Sequence, residues 1–310
     1  MDLSIVTTMY RSAQYVEEFY ARIRRSARQI TEDYEIIFVN DGSPDNSLEI
    51  AVSLYERDEK VRIIDLSRNF GHHKAIMTGL SHARGRWVFV IDCDLEEEPE
   101  ILPRFHREMM STDADVVYGI QETRGGNLKR RLTGRLFYAL FNALSSAPVP
   151  PNAVTARLMS RRYVTSLVEH KDREVFLLGL WTITGFKQVP VAVQKHFKGN
   201  SAYTLGHKVS VFVNSITSFS NKPLVFIFYL GCVISLFSGV AASYLVVRRL
   251  FFGGLLVGWP SLIVSLWLLG GLTIFCLGII GIYLSRIFTE TKQRPYTIIR
   301  QSYERNKSRS

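Results

Sequence analysis

Two carboxylates separated by a single residue give the sequence its clearest chemical signal. Asp92 and Asp94 flank Cys93 directly after an apolar run that is typical of a buried strand. Carboxylate oxygens are the ligands that Mg²⁺ or Mn²⁺ prefers, and such an ion is commonly held together with the phosphates of a substrate. The competing interpretation is a solvated loop or a helix-capping cluster, because a D-x-D tripeptide is common by chance.

A second polar loop, Asn40-Asp41-Gly42-Ser43, follows another apolar run. Ligands of open α/β sheets bind beyond the carboxyl ends of the strands, so we expect both loops to face one crevice. Glu96, Glu97 and Glu98 are candidates for a further metal ligand, although three acids at a helix start are also explained by the helix dipole. Neither loop contains G-x-G-x-x-G or G-x-x-x-x-G-K-[ST], which disfavours dinucleotide and P-loop sites.

The elements around these loops alternate between short β-branched runs and longer amphipathic runs over residues 1–120. This alternation predicts βαβ units, and hence an α/β fold with a mostly parallel sheet and helices on both faces. A helix is predicted at Ser47–Arg57, and Pro99 suits the first turn of another. The predicted strands are Leu3–Thr7, Tyr34–Asn40, Val61–Asp65, Trp87–Asp92 and Ala114–Tyr118.

Composition narrows the class of protein. The chain has 310 residues, of which 47% are hydrophobic and 21% charged, and these values exclude a disordered or collagen-like protein. The net charge of +10 suits an anionic partner. The three cysteines lie far apart, so neither a disulfide framework nor a zinc cluster is expected.

Two uncharged apolar runs, 224–247 and 261–285, are each long enough to cross a bilayer, which takes about 20 residues. The first residues do not resemble a secretory leader, so the first two-thirds of the chain are expected in the cytosol. More basic residues follow the second run than lie between the runs, which predicts a multi-pass protein of the cell membrane with both termini cytoplasmic. Nucleic-acid binding is not expected, because the basic residues cluster beside these runs without a nucleic-acid motif.

The remaining segments complete the predicted organisation. Residues 129–147 place leucines and phenylalanines at helical spacing beneath a basic cluster, which is typical of a helix on a membrane surface. An ordinary amphipathic helix packed on the domain would show the same spacing. The predicted parts are a cytosolic domain at 1–205 that includes this helix, a juxtamembrane helix at 206–223, two transmembrane helices within 224–285 and a basic cytosolic tail at 286–310.

Seven fragments along the chain together resemble a known family. They are SIVTTMYRS, FVNDGSPDNS, LSRNFGHHKAIMTGL, WVFVIDCDLEEEPE, RLMSRRYV, GNSAY and TSFSNKPL. In this order they resemble the family 2 glycosyltransferases, and within them the group that acts on polyisoprenyl phosphates. The resemblance implies a GT-A, Rossmann-like fold and inverting, metal-dependent transfer of a sugar from a nucleotide-sugar, most often a UDP-sugar. The implied acceptor is undecaprenyl phosphate or a related polyprenyl phosphate, and the implied assembly is a homo-oligomer formed through the membrane helices.

The resemblance also assigns roles to residues. Asp41 is expected to accept a hydrogen bond from the nucleotide base, and Asp92 and Asp94 are expected to handle the ribose and the metal-bound diphosphate. The implied donor-binding residues are Thr8, Tyr10, Asp41, Gly42, Ser43, Arg68, Lys74 and Asp92, and the implied metal ligands are Asp92, Asp94 and Glu96. For Lys74, a solvated helix position is the alternative.

The expected acceptor is a phosphate monoester, whose second pKa is about 6, so that at pH 7 it is largely dianionic and needs little help from a general base. The site must instead supply positive charge near the membrane. The residues predicted to contact the acceptor phosphate or lipid are Arg124, Arg130, Arg131, Arg135, Lys198, Ser201 and Tyr203, and the predicted catalytic residues are Asp92, Asp94, Arg124, Arg130, Thr155 and Arg157. For Arg131 and Arg135, binding of anionic lipid is the alternative.

Ala202 departs from the family pattern, because it stands where the G-x-S-K-Y segment has a lysine, for which Lys198 is a substitute. Three further positions depart from the pattern. Thr155 stands where many relatives have an aspartate near the reacting centre, Glu96 where an amide is common, and Gln121 where an arginine is common. These departures motivate an alternative function, a catalytically silent membrane scaffold that keeps the fold. A processive polysaccharide synthase is not expected, because the sequence has neither a Q-x-x-R-W segment nor the additional spans of such enzymes.

Overall fold

The computed structural model describes residues 1–121, 150, 152–194, 220–252 and 258–305. Within these ranges the chain divides into two compact units. The first contains residues 1–121, 150, 152–194 and 294–305, and the second contains residues 220–252 and 258–293. The first unit therefore includes residues from both sides of the apolar segments.

The first unit alternates strands and helices along its amino-terminal half and is completed by a strand near the carboxyl terminus. Its strands are β1 (Leu3–Met9), β2 (Tyr34–Asn40), β3 (Val61–Leu66), β4 (Trp87–Val90), β5 (Val116–Gln121), β6 (Ala153–Ser160), β7 (Gln188–Val193) and β8 (Ile299–Tyr303). Its helices are α1 (Ala13–Arg28), α2 (Ser47–Arg57), α3 (His72–His82), α4 (Leu102–Thr112), α5 (Arg161–Glu169) and α6 (Leu177–Ile183), with a 3₁₀ turn at Pro99–Ile101.

The described strands form one mixed sheet in the order β7-β5-β6-β4-β1-β2-β3-β8. The four strands β4, β1, β2 and β3 are parallel neighbours, and β5 and β7 are also parallel. Strand β6 runs antiparallel to both β4 and β5, and β8 runs antiparallel to β3. The predicted α/β class with a mostly parallel sheet is confirmed, with antiparallel strands added outside the parallel group.

Both faces of the parallel group are covered because its strands carry apolar residues on both sides. Every residue of β1 and of β2 is buried. On one face Phe19 of α1 contacts Phe38 of β2 edge to face, with ring centroids 6.1 Å apart. On the other face Gly79 lets α3 approach the sheet, since a Cβ at this position would lie 2.4 Å from Cγ1 of Val6. Burial of each large apolar side chain contributes about 1.5–3 kcal/mol, so these contacts are a major source of stability.

Several strand boundaries and one terminal segment differ from the predictions. Strand β1 extends to Met9 and β3 to Leu66, beyond their predicted ends. Strand β4 ends at Val90, which leaves Asp92 in the following loop, and β5 begins at Val116 and ends at Gln121, later than predicted at both ends. The segment assigned to a basic tail contains β8, which pairs with the edge strand β3. Strand β3 lies more than two hundred residues earlier in the chain, and no local pattern in the β8 sequence IRQSY predicts a strand.

The second unit contains two long apolar helices, α7 (Lys222–Phe252) and α8 (Trp259–Thr291). Within them, Lys222–Ala241 has a mean hydropathy of 2.3 and Ser265–Thr291 a mean hydropathy of 2.1. By length and composition, each of these segments is sufficient to cross a membrane. The hydroxyl of Tyr283 in α8 donates a hydrogen bond of 2.6 Å to the Ser220 carbonyl just before α7.

Candidate active site

The carboxyl ends of the parallel strands carry the loops that hold most of the predicted donor residues. The loop after β1 contacts the loop after β2, since the Arg11 backbone N–H donates to the Ser43 hydroxyl at 2.7 Å. The loop after β2 contacts the loop after β3 through Asp41 and Phe70. The structure therefore brings together, at one edge of the sheet, the loop at residues 40–43 (the NDGS loop) and the loops after β1 and β3.

Asp45 fixes the conformation of the NDGS loop. Its carboxylate accepts hydrogen bonds from the hydroxyls of Ser43 and Ser47, each at 2.5 Å, and from the backbone N–H of Ala13 at 3.0 Å. Burial alone would raise the pKa of Asp45, but these hydrogen bonds outweigh burial and lower the pKa to about 2. The ionised carboxylate thus joins the loop to the starts of α1 and α2.

Gly42 is required where two loops meet backbone to backbone. Its φ of +61° lies in the left-handed region, which favours glycine. A Cβ at this position would lie 2.4 Å from the carbonyl carbon of Arg68 and 2.5 Å from the backbone nitrogen of Asn69. Glycine is therefore the residue that lets the NDGS loop approach the loop after β3.

Asp41 holds the loop that begins α3. Its carboxylate is 3% exposed and accepts backbone hydrogen bonds from Phe70 at 2.7 Å and Gly71 at 3.0 Å. Burial raises the pKa of Asp41, and the two backbone donors oppose this effect without reversing it. The predicted contact between Asp41 and a nucleotide base stays a prediction. Such a contact would use carboxylate oxygens that already organise the loop.

His72 links two of the strand-end loops and was missed by sequence reasoning. Its Nδ1 lies 3.1 Å from the hydroxyl of Thr8, and its Nε2 lies 3.4 Å from Oδ1 of Asp92. The imidazole thus connects the end of β1 with the acidic loop after β4. The signal that could have identified His72 is its position at the first residue of α3, directly after Gly71 and beside the acidic strand ends.

The acidic loop itself alternates buried and partly exposed residues. Cys93 is buried, and its thiol donates to the Thr8 carbonyl at 3.0 Å, while Asp92 and Asp94 on either side are partly exposed. Burial raises the pKa of Cys93 to about 12, so this thiol is not a nucleophile. Asp94 accepts a hydrogen bond of 2.9 Å from the Glu96 backbone N–H, and Leu95 between them has a φ of +59°. The loop thus buries the cysteine and leaves the residues on either side of it partly exposed.

The chemistry of these donors fits a divalent cation. Asp92, Asp94 and Glu96 supply carboxylate oxygens in one short loop, which are ligands suited to Mg²⁺ or Mn²⁺. Among the residues that the structure describes, no cluster of three or more His, Cys, Asp or Glu side chains is arranged as a complete metal site. Mg²⁺ is commonly bound by one or two carboxylates together with substrate phosphates, so an incomplete protein set is compatible with it.

Arg157 lies in the interior of the domain, which differs from its predicted role as a catalytic residue. Its side chain is 2% exposed, packs on the ring of Trp181 and donates to the carbonyls of Thr155 at 3.3 Å and Val154 at 3.1 Å. Burial lowers the pKa of Arg157 to about 9. The guanidinium is thus occupied by protein groups and supports β6 from within.

Glu97 positions Thr155 and connects the acidic loop to β6. It is 1% exposed and accepts hydrogen bonds from the backbone N–H groups of Thr155 at 3.3 Å and Ala156 at 2.7 Å. Thr155 itself is partly exposed. The structure therefore ties Thr155 to the loop of Asp92 and Asp94, although no described contact assigns Thr155 a chemical role.

The other predicted donor residues lie at the rim of the site. Arg68 is exposed, and its guanidinium lies 4.0 Å from the ring centroid of Phe70. The ammonium of Lys74 lies 3.9 Å from a carboxylate oxygen of Glu174. Tyr10 is 44% exposed. The predicted residues Arg124, Arg130, Arg131, Arg135, Lys198, Ser201 and Tyr203 lie outside the described residues. The predicted helix at 129–147 and residues 206–219 of the predicted helix at 206–223 also lie outside them.

A family model matches the amino-terminal half of this chain, and relatives match nearly its whole length. The description "Glycosyl transferase family 2" applies to the family whose model matches residues 4–167. A Mycobacterium tuberculosis protein described as a glycosyltransferase is 56% identical over 303 residues, which cover 98% of this chain and 89% of that protein. The bactoprenol glucosyl transferase of Shigella phage SfII is 32% identical over 310 residues, covering 99% of this chain and 100% of the relative.

One solved structure aligns with most of the chain at low sequence identity. Glucosyl-3-phosphoglycerate synthase from Mycobacterium tuberculosis, in complex with UDP, aligns with a TM-score of 0.47 and 18% sequence identity. The alignment covers 70% of this chain and 79% of that chain.

Proposed function

The chain belongs to the family 2 glycosyltransferases, and on this premise we propose that it transfers a sugar from a nucleotide-sugar to a polyprenyl phosphate. The chain is thus a glycosyltransferase with a GT-A-type α/β domain. The observation that carries the proposal is the presence, in one chain, of an acid-lined sheet edge and two helices apolar enough to cross a bilayer. The name of the SfII phage relative, which is similar over 99% of this chain, supports a polyprenyl acceptor and a glucosyl group.

The donor occupies the edge formed by the loops after β1, β2, β3 and β4. The base lies against Asp41 and the backbone approach at Gly42, while the ribose and diphosphate extend toward Asp92 and Asp94. His72 holds Asp92 in place through its contact at 3.4 Å. Arg68 at the rim supplies positive charge to the diphosphate, because a guanidinium matches phosphate oxygens in charge and geometry.

Asp92, Asp94 and Glu96 are the residues that would hold Mg²⁺ or Mn²⁺. When bound, the cation supplies charge neutralisation to the diphosphate leaving group. The protein's own contribution is to orient these carboxylates through the Glu96 backbone N–H and His72. Orientation of ligands by such outer contacts commonly accounts for a 10–100-fold effect on metal affinity or activity.

The acceptor oxygen attacks the anomeric carbon from the face opposite the leaving group. A new bond forms between a phosphate oxygen and the sugar, the bond to the nucleoside diphosphate breaks, and the configuration inverts. A phosphate dianion carries no proton on the attacking oxygen, so Thr155 in place of a carboxylate is compatible with turnover. The basic residues predicted for this step, Arg124, Arg130, Arg131, Arg135 and Lys198, would balance the dianion at the membrane surface.

The proposal places the enzyme in the cell membrane with its catalytic unit and both termini on the cytoplasmic side. A nucleotide-sugar is dissolved in water, whereas a polyprenyl chain is dissolved in the bilayer, so the reacting groups must meet at the interface. A homo-oligomer formed through α7 and α8 is part of the same proposal. The product would be a polyprenyl-phosphate-sugar, a donor for assembly or modification of cell-envelope glycans.

The deciding experiment supplies both substrates to the purified full-length protein. The protein in detergent is incubated with undecaprenyl phosphate, a divalent cation and labelled UDP-glucose, and the lipid fraction is analysed by mass spectrometry. The expected product is a glycolipid whose sugar is released by mild acid. A chelator is expected to abolish its formation, and added Mg²⁺ or Mn²⁺ to restore it.

Two further arms separate the proposal from the silent scaffold. Asp92→Asn and Asp94→Asn are expected to remove turnover while the protein keeps its unfolding temperature within a few degrees, because both side chains are partly exposed. Absence of product from the wild-type protein with UDP-, GDP- and dTDP-sugars alike would contradict the proposed function and favour the scaffold.

A further inference from the structure

The segment that follows the second apolar helix returns to the sheet beside the donor edge. Strand β8 pairs antiparallel with β3, with Tyr303 opposite Ile63 and Ile299 opposite Leu66. The pairing continues beyond β3, since the Ser67 backbone N–H donates to the Ile298 carbonyl at 2.9 Å. Thr297 adds a hydroxyl contact of 2.8 Å with Thr78 of α3. This segment therefore contacts the start of the loop between β3 and α3 and also α3 itself.

One side chain of β8 reaches from the sheet edge toward the nucleotide loops. Arg300 donates through Nη2 to the Ser67 carbonyl at 2.7 Å, and its Nη1 lies 3.7 Å from Oδ2 of Asp65. The Asp65 side chain is 3% exposed, whereas that of Arg300 is 58% exposed. A cation from the surface thus balances a buried carboxylate at the end of β3.

Asp65 connects Arg300 to the NDGS loop through the side chain of Asn40. Its Oδ1 accepts a hydrogen bond of 2.8 Å from the side-chain amide of Asn40, the last residue of β2. The carbonyl oxygen of the same amide accepts from the Ser43 backbone N–H at 3.1 Å. Arg300, Asp65, Asn40 and Ser43 therefore form one continuous chain of polar contacts from β8 to the NDGS loop.

The second contact of Arg300 acts on the neighbouring loop. Ser67 begins the stretch whose later residues, Phe70 and Gly71, donate to Asp41. The same stretch supplies the backbone at Arg68 against which Gly42 packs. Arg300 consequently holds both loops that form the proposed base-binding edge, although it is not itself one of the strand-end residues.

We infer that Arg300 is a positioning residue for nucleotide binding, so that the segment after the second apolar helix sets the affinity for the donor. This inference rests on the proposed function. Without the guanidinium, the buried Asp65 carboxylate loses its contact with a cation and can shift. The Asn40 amide that donates to Asp65 would shift with it, and so would the Ser43 backbone that donates to this amide. Because Arg300 does not touch the reacting groups, the expected effect is on donor binding and not on the chemical step.

Arg305 provides a matched control at the opposite end of β8. Its guanidinium donates to the carbonyls of Tyr55 at 3.2 Å and Glu56 at 3.0 Å near the end of α2, remote in the fold from residues 40–43. Arg305→Ala and Arg300→Ala each remove an exposed guanidinium that is bonded to backbone carbonyls. A merely structural role of β8 predicts similar effects of the two substitutions.

The test measures nucleotide affinity and unfolding temperature of the full-length protein. UDP, GDP and dTDP are titrated first onto the wild-type protein with Mg²⁺, and the nucleotide that binds is used with the variants. Arg300→Ala is expected to raise its Kd by about three- to tenfold, and Arg305→Ala by less than about twofold, in line with coupling through one polar network. Arg300→Lys is expected to recover part of the affinity. In the transfer assay, Arg300→Ala should raise the KM for the donor. Its kcat and its KM for the acceptor should change little.

A double-mutant cycle tests the route through the buried carboxylate. If Arg300 acts through Asp65, then Arg300→Ala adds little to the Kd of Asp65→Asn. Equal losses of affinity in Arg300→Ala and Arg305→Ala would overturn the inference and leave the proposed function intact. Additive effects of Arg300→Ala and Asp65→Asn would instead assign the positioning role of Arg300 to its contact with the Ser67 carbonyl. If the wild-type protein binds none of the three nucleotides, the proposed function itself falls, and this inference falls with it.

Discussion

At the scale of the residue, the site is organised by a few side chains that bridge separate loops. His72 contacts both Thr8 and Asp92, which lie 64 and 20 positions away along the chain, as the sequence numbers show. Such contacts cannot be inferred from spacing, because they depend on how β1, α3 and β4 are arranged in the sheet. The acidic residues could be predicted since strand-end carboxylates have a local signature, whereas the place of His72 after Gly71 does not indicate which carboxylate its imidazole contacts.

We expect His72→Ala to lower kcat/KM for the donor by about 10–100-fold, the usual effect of removing a group that orients a ligand residue. The reason is that Asp92 loses the imidazole 3.4 Å from its Oδ1. Donor kinetics at saturating acceptor measure the change. His82→Ala is the control, because His82 ends the same helix and contacts the Thr78 carbonyl. Equal losses in the two variants would indicate damage to α3 and contradict a specific role of His72.

Gly42→Ala is expected to raise the donor KM and lower the unfolding temperature. A left-handed conformation costs a non-glycine residue about 1–2 kcal/mol, and the added Cβ would also collide with the backbone at Arg68. Gly185→Ala is a control for the first effect alone, since Gly185 has a φ of +74° with no atom within 4 Å of the added Cβ. Measured by thermal unfolding, Gly42→Ala should therefore be the more destabilising of the two. Equal destabilisation would mean that the loop contact contributes nothing.

At the scale of the element, the predictions succeed where local pattern decides and fail where distant pairing decides. The bounds of β2 and α2 agree with prediction because a buried apolar run and a turn-rich stretch define them locally. Strand β8 was missed because IRQSY has no apolar alternation, and its stability comes from the edge of β3. The placement of Arg157 differs from its predicted catalytic role for a related reason, since Trp181 and the carbonyls of β6 surround its guanidinium.

The loop joining β2 to α2 gives an element-scale prediction for pH. The folded pKa of Asp45 is about 2, below the usual value of 3.8, so its ionised form stabilises the fold. This contribution is complete above about pH 4 and is lost as the pH falls toward 2. Asp45→Asn is expected to lower the unfolding temperature at pH 7, with a difference from wild type that shrinks between pH 4 and the acid limit of the fold.

The control for this pH series is Glu59→Gln, which neutralises an exposed carboxylate of the same unit. Its unfolding temperature should follow that of the wild-type protein at every pH. A difference between Asp45→Asn and wild type that stays constant from pH 7 to pH 3 would contradict a role for the ionised carboxylate. In that case hydrogen bonding that does not depend on the charge would account for the loop's stability.

At the scale of the whole molecule, the proposed reaction joins a substrate dissolved in water to one dissolved in the bilayer. The first unit supplies the polar edge, and the second supplies Lys222–Ala241 and Ser265–Thr291, each long and apolar enough to cross a membrane. The apolar segments could be predicted from composition, because about 20 uncharged residues suffice to identify such a segment. The return of the chain to the first unit through β8 could not, since it requires knowledge of the folded sheet edge.

Because the acceptor would be confined to the bilayer, its surface density and not its bulk concentration should determine the rate. In vesicles that contain the enzyme and a fixed amount of undecaprenyl phosphate, raising the inert phospholipid about fivefold dilutes the acceptor in the plane of the membrane. Below saturation the transfer rate is expected to fall by about the same factor, since encounter occurs within the membrane. The donor KM, set by a substrate in water, should stay constant over the same series. A transfer rate that does not change with the added phospholipid would mean that the acceptor reaches the site from solution. The apolar helices would then have a role other than holding enzyme and acceptor in one membrane.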